Sequence, residues 1–444
     1  MKVYGKLIID EIGCIIRVWK LTEPVFIMLL KLPLAKNIKK YLLFYLMVSI
    51  LVSGVILAGQ NHAKADAKFR KWIKDFYPVA AKHGIKKKTY DQVFQGIRKP
   101  IPLVLDSARY QPEFTSQIWD YLDQRIRESI IRDGQKLKKD YHPWLNRIEK
   151  RFGVDRNVLL AIWSMESSYG EALKKSDRLH RVAGALATLA FADRKRAKFA
   201  RSQLVAAMKI VQNGDVSARG LMGSWAGAMG HTQFIPTSYQ AWAVDIDGNG
   251  KRDIWNSPPD ALASAANLLK KNGWKSGQTW GYEVKLPRRF NAKKHTNKSR
   301  TISQWRKLGV KRVGGKSFPR SKDKAVLKFP GGVKGPAFLM LKNFYVLKRY
   351  NNADKYALAV GHLADRIRGG DEFVQPWPRG YTPLTESQAK VLQEQLARLG
   401  FYDGEIDGNI GSGSRAAIVA IQKKFGYNSD GHASKELLVK LKKK

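Results

Sequence analysis

Apolar residues recur at three- and four-residue intervals through most of the chain, the period of a helix with one buried face. Trp72, Phe76, Tyr77 and Val79 predict such a face early in a helical stretch over residues 68–150, and helices continue through residues 152–213. Ala183–Phe191 and Ser202–Val211 carry the same spacing. Pro258 and Pro259 stand near the start of a further helix over Ser257–Leu269, where a missing backbone N–H costs little. Residues 220–240, rich in Gly and small side chains around Trp225, Phe234 and Tyr239, predict a closely packed loop.

The pattern changes over residues 282–334. Short apolar runs, broken by Pro and Gly-Gly and crowded with Lys and Arg, predict a small strand-rich subdomain. Residues 336–368 return to helical spacing, and Gly369-Gly370-Asp371 through Arg379-Gly380 reads as an interdomain linker, with 371–381 separating two domains. Beyond it lies a compact unit, residues 382–444. Its amphipathic helices are Ser387–Leu399 and Ser414–Phe425, with a shorter one at Lys435–Leu441; the turn Asp403-Gly404-Glu405-Ile406-Asp407-Gly408 joins the first two. A unit this small suits binding better than a deep catalytic cleft. The predicted fold class is mainly α, of the α+β type.

Residues 41–58 form an uncharged apolar run, preceded by Lys36, Lys39 and Lys40 and followed by Ala63-Lys64-Ala65. This reads as an N-terminal extension and signal peptide over residues 1–65, with the mature chain starting at Asp66. The run is also long enough to cross a bilayer, so an uncleaved anchor is the alternative. Residues 1–27 are unusual upstream of a signal, and Met28 is the more ordinary start.

A length of 444 residues implies two or three domains, and 44% hydrophobic content with 12 Trp and 17 Tyr implies a globular chain. The net charge of +43 directs attention to nucleic acid, anionic membranes or acidic polymers as partners. Its plain reading is a basic exported protein with a solvated surface. Removing residues 1–65 leaves +37 and also removes Cys14, the single cysteine. The mature chain then offers no disulfide, thiolate nucleophile or Cys-based zinc site, and no lipoprotein anchor follows the apolar run. Export without disulfides suits a bacterial periplasm.

Four segments carry candidate chemistry. Glu166 closes the apolar run Leu159-Leu160-Ala161-Ile162-Trp163-Ser164-Met165, ahead of Ser167-Ser168-Tyr169-Gly170. A carboxyl in an apolar setting resists ionisation and suits a proton donor, whereas the plain reading is an exposed Glu at a helix end. Gly223–Tyr239 combines small residues with Ser224, Gln233 and Phe234, which fits either close approach of a bulky ligand or a tight loop. Arg349-Tyr350-Asn351-Asn352 with Tyr356 offers ring faces for sugar C–H groups and amides for hydroxyl or acetamido groups; the plain reading is a helix capped by Asn351 or Asn352. Finally, Asp245, Asp247, Asn249, Lys251 and Asp253 follow the first part of a calcium loop with Gly250 at its sixth position. Asn256 replaces the usual bidentate Glu, Asp260 stands ready as a substitute, and a metal-free turn is the alternative.

Taken together, residues 68–370 resemble the lytic murein transglycosylase B family, glycoside hydrolase family 103. The resemblance rests on the Glu166 helix, Ala185-Leu186-Ala187-Thr188-Leu189, the segment from Ala226-Gly227-Ala228-Met229-Gly230 to Gln233-Phe234-Ile235-Pro236-Thr237-Ser238-Tyr239, Ile302-Ser303-Gln304-Trp305 with Leu308-Gly309-Val310, and Tyr350-Asn351. Residues 382–441 resemble a type-1 peptidoglycan-binding module through Asp403-Gly404, Asp407-Gly408 and Ala417 to Gln422.

The resemblance implies a lysozyme-like helical catalytic domain over residues 66–370 with a three-helix module behind it. It matches Glu166 to a single catalytic acid/base. Tyr121, Lys195, Arg196, Ser224, Gln233, Phe234, Tyr350, Asn351 and Tyr356 match residues that hold the glycan. It implies cleavage between N-acetylmuramic acid and N-acetylglucosamine with closure of a 1,6-anhydro ring. No cofactor is required, and some members of the family carry a structural calcium in the Asp245 segment. The implied partners are peptidoglycan strands and other cell-wall enzymes, with no nucleic acid and with membrane contact only through an uncleaved N-terminal segment. The alternatives are a hydrolytic muramidase and a non-catalytic wall-binding scaffold.

Overall fold

The computed structural model describes residues 65–109, 117–175 and 179–442. The predicted signal segment therefore lies outside the described residues, apart from its last position. Among the described residues, no helix is long and apolar enough to cross a membrane. Among the described residues the fold is mainly α, with two small antiparallel sheets, and it divides into two compact units.

The first unit contains the helices 65–82, Lys87–Phe94, Pro102–Arg109, Val182–Ala192 and Ala197–Gln212. Val182–Ala192 is apolar around its whole circumference, and every residue from Val182 to Ala190 is buried. Such a helix is stable only at the centre of others. The helix over 65–82 buries Phe69, Ile73, Phe76 and Ala80, a stripe repeating every three or four residues. Val79 was expected on that face but is 44% exposed, because the true stripe begins at Phe69 and passes it by.

The second unit is built on the Arg156–Ser167 helix. Leu159, Leu160, Ala161 and Ile162 are fully buried, and the helices Glu128–Asp140, His142–Phe152, Pro258–Lys271 and Asp354–Arg368 pack around them. Asp155 caps the helix by accepting from Asn157 N at 2.8 Å and pairs with Arg368 at 2.5 Å, tying this start to the end of Asp354–Arg368. Burial works against the Asp155 charge, but Arg368 and Asn157 outweigh it and hold the carboxyl below its ordinary value.

The strand pairs follow in chain order. β1 (His180–Arg181) pairs with β2 (Met222–Gly223) in the first unit. In the second, β3 (Gly281–Lys285), β4 (Ser299–Thr301), β5 (Lys311–Arg312), β6 (Lys324–Lys328) and β7 (Ala337–Met340) form one sheet in the order β4-β6-β7-β3-β5. Trp305 is fully buried in this subdomain's core, with Val284, Leu327 and Leu339, and donates from Nε1 to Ala325 O at 3.0 Å. β7 corrects the expectation of helix from residue 336. Ala337-Phe338-Leu339-Met340 is a central strand buried on both faces, and such an uninterrupted apolar run has no period to distinguish it from a buried helix. The helix begins only at Lys342.

The segment 371–381 is fastened along its length. Glu283 accepts from Val374 N at 2.8 Å and Gln375 N at 2.7 Å, Trp377 stacks on Phe338, Arg379 pairs with Asp123, and Tyr381 donates to Asp120 at 2.6 Å. The helices Glu386–Arg398, Ser412–Lys424 and Lys435–Leu441 follow, around Leu392, Leu396, Ile418, Ile421 and Leu441. Buried Gln393 bonds Gly408 N at 2.7 Å and Asp407 at 3.1 Å, which holds the Gly- and Asp-rich turn to the first of these helices.

Gly361 permits close packing in the second unit: an added Cβ would stand 2.5 Å from the Trp280 ring. In a helix interior, Gly to Ala ordinarily stabilises by about 1 kcal/mol. Overpacking at a rigid indole reverses the sign, so Gly361→Ala is expected to destabilise by about 1–3 kcal/mol in urea denaturation.

Candidate active site

Glu166 is half-buried at the end of the Arg156–Ser167 helix, one residue beyond buried Met165. The helix stops because Ser168 and Tyr169 adopt left-handed conformations, with φ 50° and 58°, followed by Gly170 at φ 96°. Two consecutive non-glycine residues in that region are strained, which concentrates backbone strain beside the carboxyl. At Gly170 an added Cβ would also lie 2.6 Å from the His231 ring.

His231 joins the helix to the Gly-rich loop. Its Nδ1 accepts from Trp163 Nε1 at 3.1 Å, and its carbonyl accepts from Ser167 Oγ at 2.7 Å. The first bond requires an unprotonated Nδ1, and burial enforces this by pushing the imidazole down to about 4. Gln233 continues the loop at φ 50° and donates from Nε2 to Gly230 O at 2.9 Å. Thr232 O receives the Tyr350 hydroxyl at 2.6 Å.

The Asp354–Arg368 helix brings Tyr356 to the carboxyl, and Tyr356 OH donates to Glu166 Oε1 at 2.5 Å. The Tyr350 and Tyr356 rings stack with centroids 6.3 Å apart. Burial raises both phenols well above their ordinary range, and the Glu166 charge adds to this. Tyr356 therefore stays a hydrogen-bond donor at any pH near neutral. Tyr121 lies close enough to add to the same field, with Lys355 Nζ 5.3 Å above its ring.

Phe234 is 2% exposed and packs against Tyr350 at 5.9 Å, so it supports the ring above it and offers little face of its own. Asn351 ends the Lys342–Tyr350 helix and is exposed. The next helix, Asp354–Arg368, has Ala353 at its N-cap and no side-chain cap, so neither Asn351 nor Asn352 is its N-cap, and Asn351 is instead the C-cap of Lys342–Tyr350. Glu166, Gln233, Phe234, Tyr350, Tyr356 and Tyr121 thus all belong to the second unit.

Ser224, Lys195 and Arg196 belong to the first unit. Ser224 Oγ accepts from Ala228 N at 3.1 Å and Ala226 N at 3.3 Å, which shapes the Gly-rich turn. Arg196 pairs with Asp193 at 2.7 Å and sits 5.9 Å over the Trp225 ring, while Lys195 is exposed.

The Asp245 segment brings Asp245, Asp247 and Asp260 together, with ligand oxygens within 4.8 Å of one another. Asp260 is fully buried and accepts from Ile246 N at 2.8 Å and Asp253 N at 2.9 Å. Burial, reinforced by the charges of Asp247 and Asp245, pushes it up to about 6. Asp253 stands outside this group and caps the following turn by accepting from Trp255 N and Asn256 N, each at 2.9 Å. Lys251 is exposed, with its backbone N–H bonded to Asn249 Oδ1, and the Arg252 guanidinium lies over the Tyr239 ring.

Sequence reasoning passed over Trp163, Ser167, His231 and Thr232. Trp163 reads as core, and His231 reads as a lone polar residue in a small-residue loop. The available pointer was Ser168-Tyr169-Gly170, an abrupt end to a helix whose apolar pattern was still running.

The chain has relatives among known proteins. Residues 68–365 match a transglycosylase SLT domain, and residues 385–441 match a peptidoglycan binding domain. Membrane-bound lytic murein transglycosylase B of Escherichia coli (strain K12) is 30% identical over 252 residues, covering 56% of this chain. The match spans 66% of that relative, just under two thirds of its length. The crystal structure of SltB3 from Pseudomonas aeruginosa in complex with NAG-anhNAM-pentapeptide is similar at a TM-score of 0.67 and 44% identity, covering 84% of this chain and 99% of that one. The Escherichia coli lytic transglycosylase Slt35 in complex with calcium is similar at a TM-score of 0.55 and 26% identity, over 68% of this chain and 92% of that one.

The depressed value at His231 makes stability depend on pH. The unfolded chain takes up this proton near the ordinary histidine value of about 6.5, whereas the folded chain resists until about 4. Its share of stability is complete above about pH 6.5 and is lost as the pH falls through that window. His231→Gln is expected to give a shallower decline than wild type in urea unfolding between about pH 6.5 and 4. Equal slopes would mean that the buried imidazole is not held neutral.

Proposed function

This chain belongs to the transglycosylase SLT domain family, and we propose that it cleaves peptidoglycan as a lytic transglycosylase with Glu166 as its single acid/base. The observation that carries the assignment is the Tyr356 O–H donated to Glu166 Oε1 at 2.5 Å, at the end of a buried helix. That bond fixes the rotamer of the carboxyl. A second carboxylate is not needed when the substrate supplies its own nucleophile.

Protonated Glu166 donates to the glycosidic oxygen between N-acetylmuramic acid and N-acetylglucosamine as the C–O bond breaks. The acetamido oxygen of the muramyl residue stabilises the positive anomeric carbon. Ionised Glu166 then takes the proton of the muramyl C6 hydroxyl, whose oxygen attacks that carbon and closes the 1,6-anhydro ring. The proton count returns to its start, and no water is consumed. Tyr356 acts as a positioning residue through Glu166. Tyr350 and Asn351 offer the ring face and the amide that a sugar requires, and Gln233 is held at the same rim by its strained backbone. The C-terminal domain retains the enzyme on its polymer. The signal-like segment and the proposed wall substrate support work in the periplasm.

Mass spectrometry of fragments released from purified sacculi tests this reading. Wild type should yield anhydro-ended muropeptides, lighter by one water than reducing ends. Glu166→Gln should lower the rate by about 10²–10⁴-fold or more, the usual contribution of a positioned acid/base. Tyr356→Phe loses a charge-assisted hydrogen bond of about 1.5–3 kcal/mol, an expected fall of about 10- to 100-fold in kcat/KM. Reducing ends alone would instead identify a hydrolytic muramidase. Equal, negligible release by wild type and Glu166→Gln would identify a non-catalytic wall binder.

We also propose a structural calcium at Asp245, Asp247 and Asp260. The donor set is all hard oxygen, its three carboxylates converge, and the Arg252 charge is drawn off to Tyr239. Bound there, the ion would neutralise the repulsion among these carboxylates. Calcium at about 100 times its dissociation constant should add about 2.7 kcal/mol of stability. The resulting rise in Tm should vanish in Asp245→Asn/Asp247→Asn, and an unchanged wild-type Tm would exclude the site.

A further inference from the structure

The strand-rich subdomain has no part in the chemistry above, yet it concentrates positive charge. Residues 282–334 hold 17 Lys and Arg against two Asp and Glu. Both acids are engaged internally: Glu283 by the backbone of Val374 and Gln375, and Asp323 by Gln278 and Arg320. Much of the remaining charge converges on one open cleft of about 870 Å³, lined by Lys285, Arg306, Lys307, Lys311, Arg312 and Lys316 and by no acidic residue.

The sheet register makes this arrangement costly. β3 and β5 pair so that Lys285 stands directly opposite Lys311. Like charges at paired positions destabilise a sheet, and an acid at either position would have relieved the repulsion. The Ile302–Lys307 helix then adds Arg306 and Lys307 from the side. Among the described residues, Lys285, Arg306, Lys307 and Lys311 have no acidic partner. Lys316 meets exposed Asp371 at 3.6 Å on the rim. Arg312 is preorganised, with Nη1 bonded to Ser317 O at 2.6 Å and its guanidinium 4.7 Å over Tyr282.

We infer that this cleft is a second wall-binding site, which takes the carboxylates of peptidoglycan stem peptides independently of the C-terminal domain. The inference rests on peptidoglycan being the substrate. Stem peptides present several carboxylates spaced along a flexible chain, which matches a wide cleft bordered by separate cations better than a single deep anion pocket. The site would hold a peptide-bearing strand while Glu166 works on glycan.

The test is retention of the full chain on purified sacculi, in a Glu166→Gln background so that the wall stays intact. Arg306→Glu/Lys307→Glu/Lys311→Glu alters three exposed side chains, and Arg306→Gln/Lys307→Gln/Lys311→Gln removes the same charges without reversing them if the first variant folds poorly. Lys68→Glu/Lys74→Glu/Lys82→Glu matches the first variant's charge change on another exposed surface. The cleft variants should bind intact sacculi about tenfold more weakly or worse, the control much less so, and the difference should disappear on glycan strands stripped of stem peptides. Equal losses in cleft and control variants would reduce the effect to diffuse charge and overturn the site. A loss that persists on peptide-free glycan would overturn stem-peptide recognition. Unchanged sacculus binding with lost binding to phosphatidylglycerol vesicles would assign the cleft to membrane lipid instead. Absence of anhydro-ended products from wild type would sink the catalytic reading alone, since retention is measured without turnover.

Discussion

Complete desolvation of the Arg156–Ser167 helix is the constraint on which the second unit depends. Leu159, Leu160, Ala161 and Ile162 have no contact with solvent, so four helices must surround them. A helix enclosed in this way can present polar chemistry only where it ends. Glu166 occupies that end, and the left-handed turn at Ser168 and Tyr169 carries the chain away before the next apolar turn can cover the carboxyl.

The titratable groups packed near Glu166 are held in fixed protonation states. Tyr356 and Tyr350 are phenols raised well above their ordinary range, and His231 is an imidazole kept neutral by burial. None of these exchanges a proton readily near neutral pH, so Glu166 has fixed dipoles beside it. Such preorganised dipoles stabilise developing charge without reorganising during the reaction. The cost is paid as strain in Ser168, Tyr169 and Gln233, three of the few non-glycine residues at positive φ among those described.

The acidic residues explain much of the remaining electrostatics. Asp155 caps the central helix and pairs with Arg368, Glu283 fastens the segment before the C-terminal domain, and Asp120 and Asp123 receive Tyr381 and Arg379. A chain with 37 Asp and Glu against 80 Lys and Arg that uses acids for architecture leaves many basic residues without an acidic partner. The cleft between β3, β5 and the Ile302–Lys307 helix gathers part of that surplus.

The sequence by itself determined the order and type of most elements, because helical periodicity, capping residues and Gly-rich turns act over a few residues. Glu166 stood out for that reason, as did the three C-terminal helices, whose predicted limits fall within two residues of those observed. Where local pattern was silent, the reading failed: Ala337–Met340 is equally apolar on both faces, and the stripe through Phe69 and Ile73 excludes Val79. Tyr356 was legible as a motif residue, but its bond to a carboxyl 190 positions away was not. Nor was the meeting of Trp163 with His231, the convergence of Asp260 with Asp245, or the opposition of Lys285 to Lys311. These are distances between segments remote along the chain. Only packing sets them, because burial selects one arrangement of helices and one strand register from the many that local preferences allow.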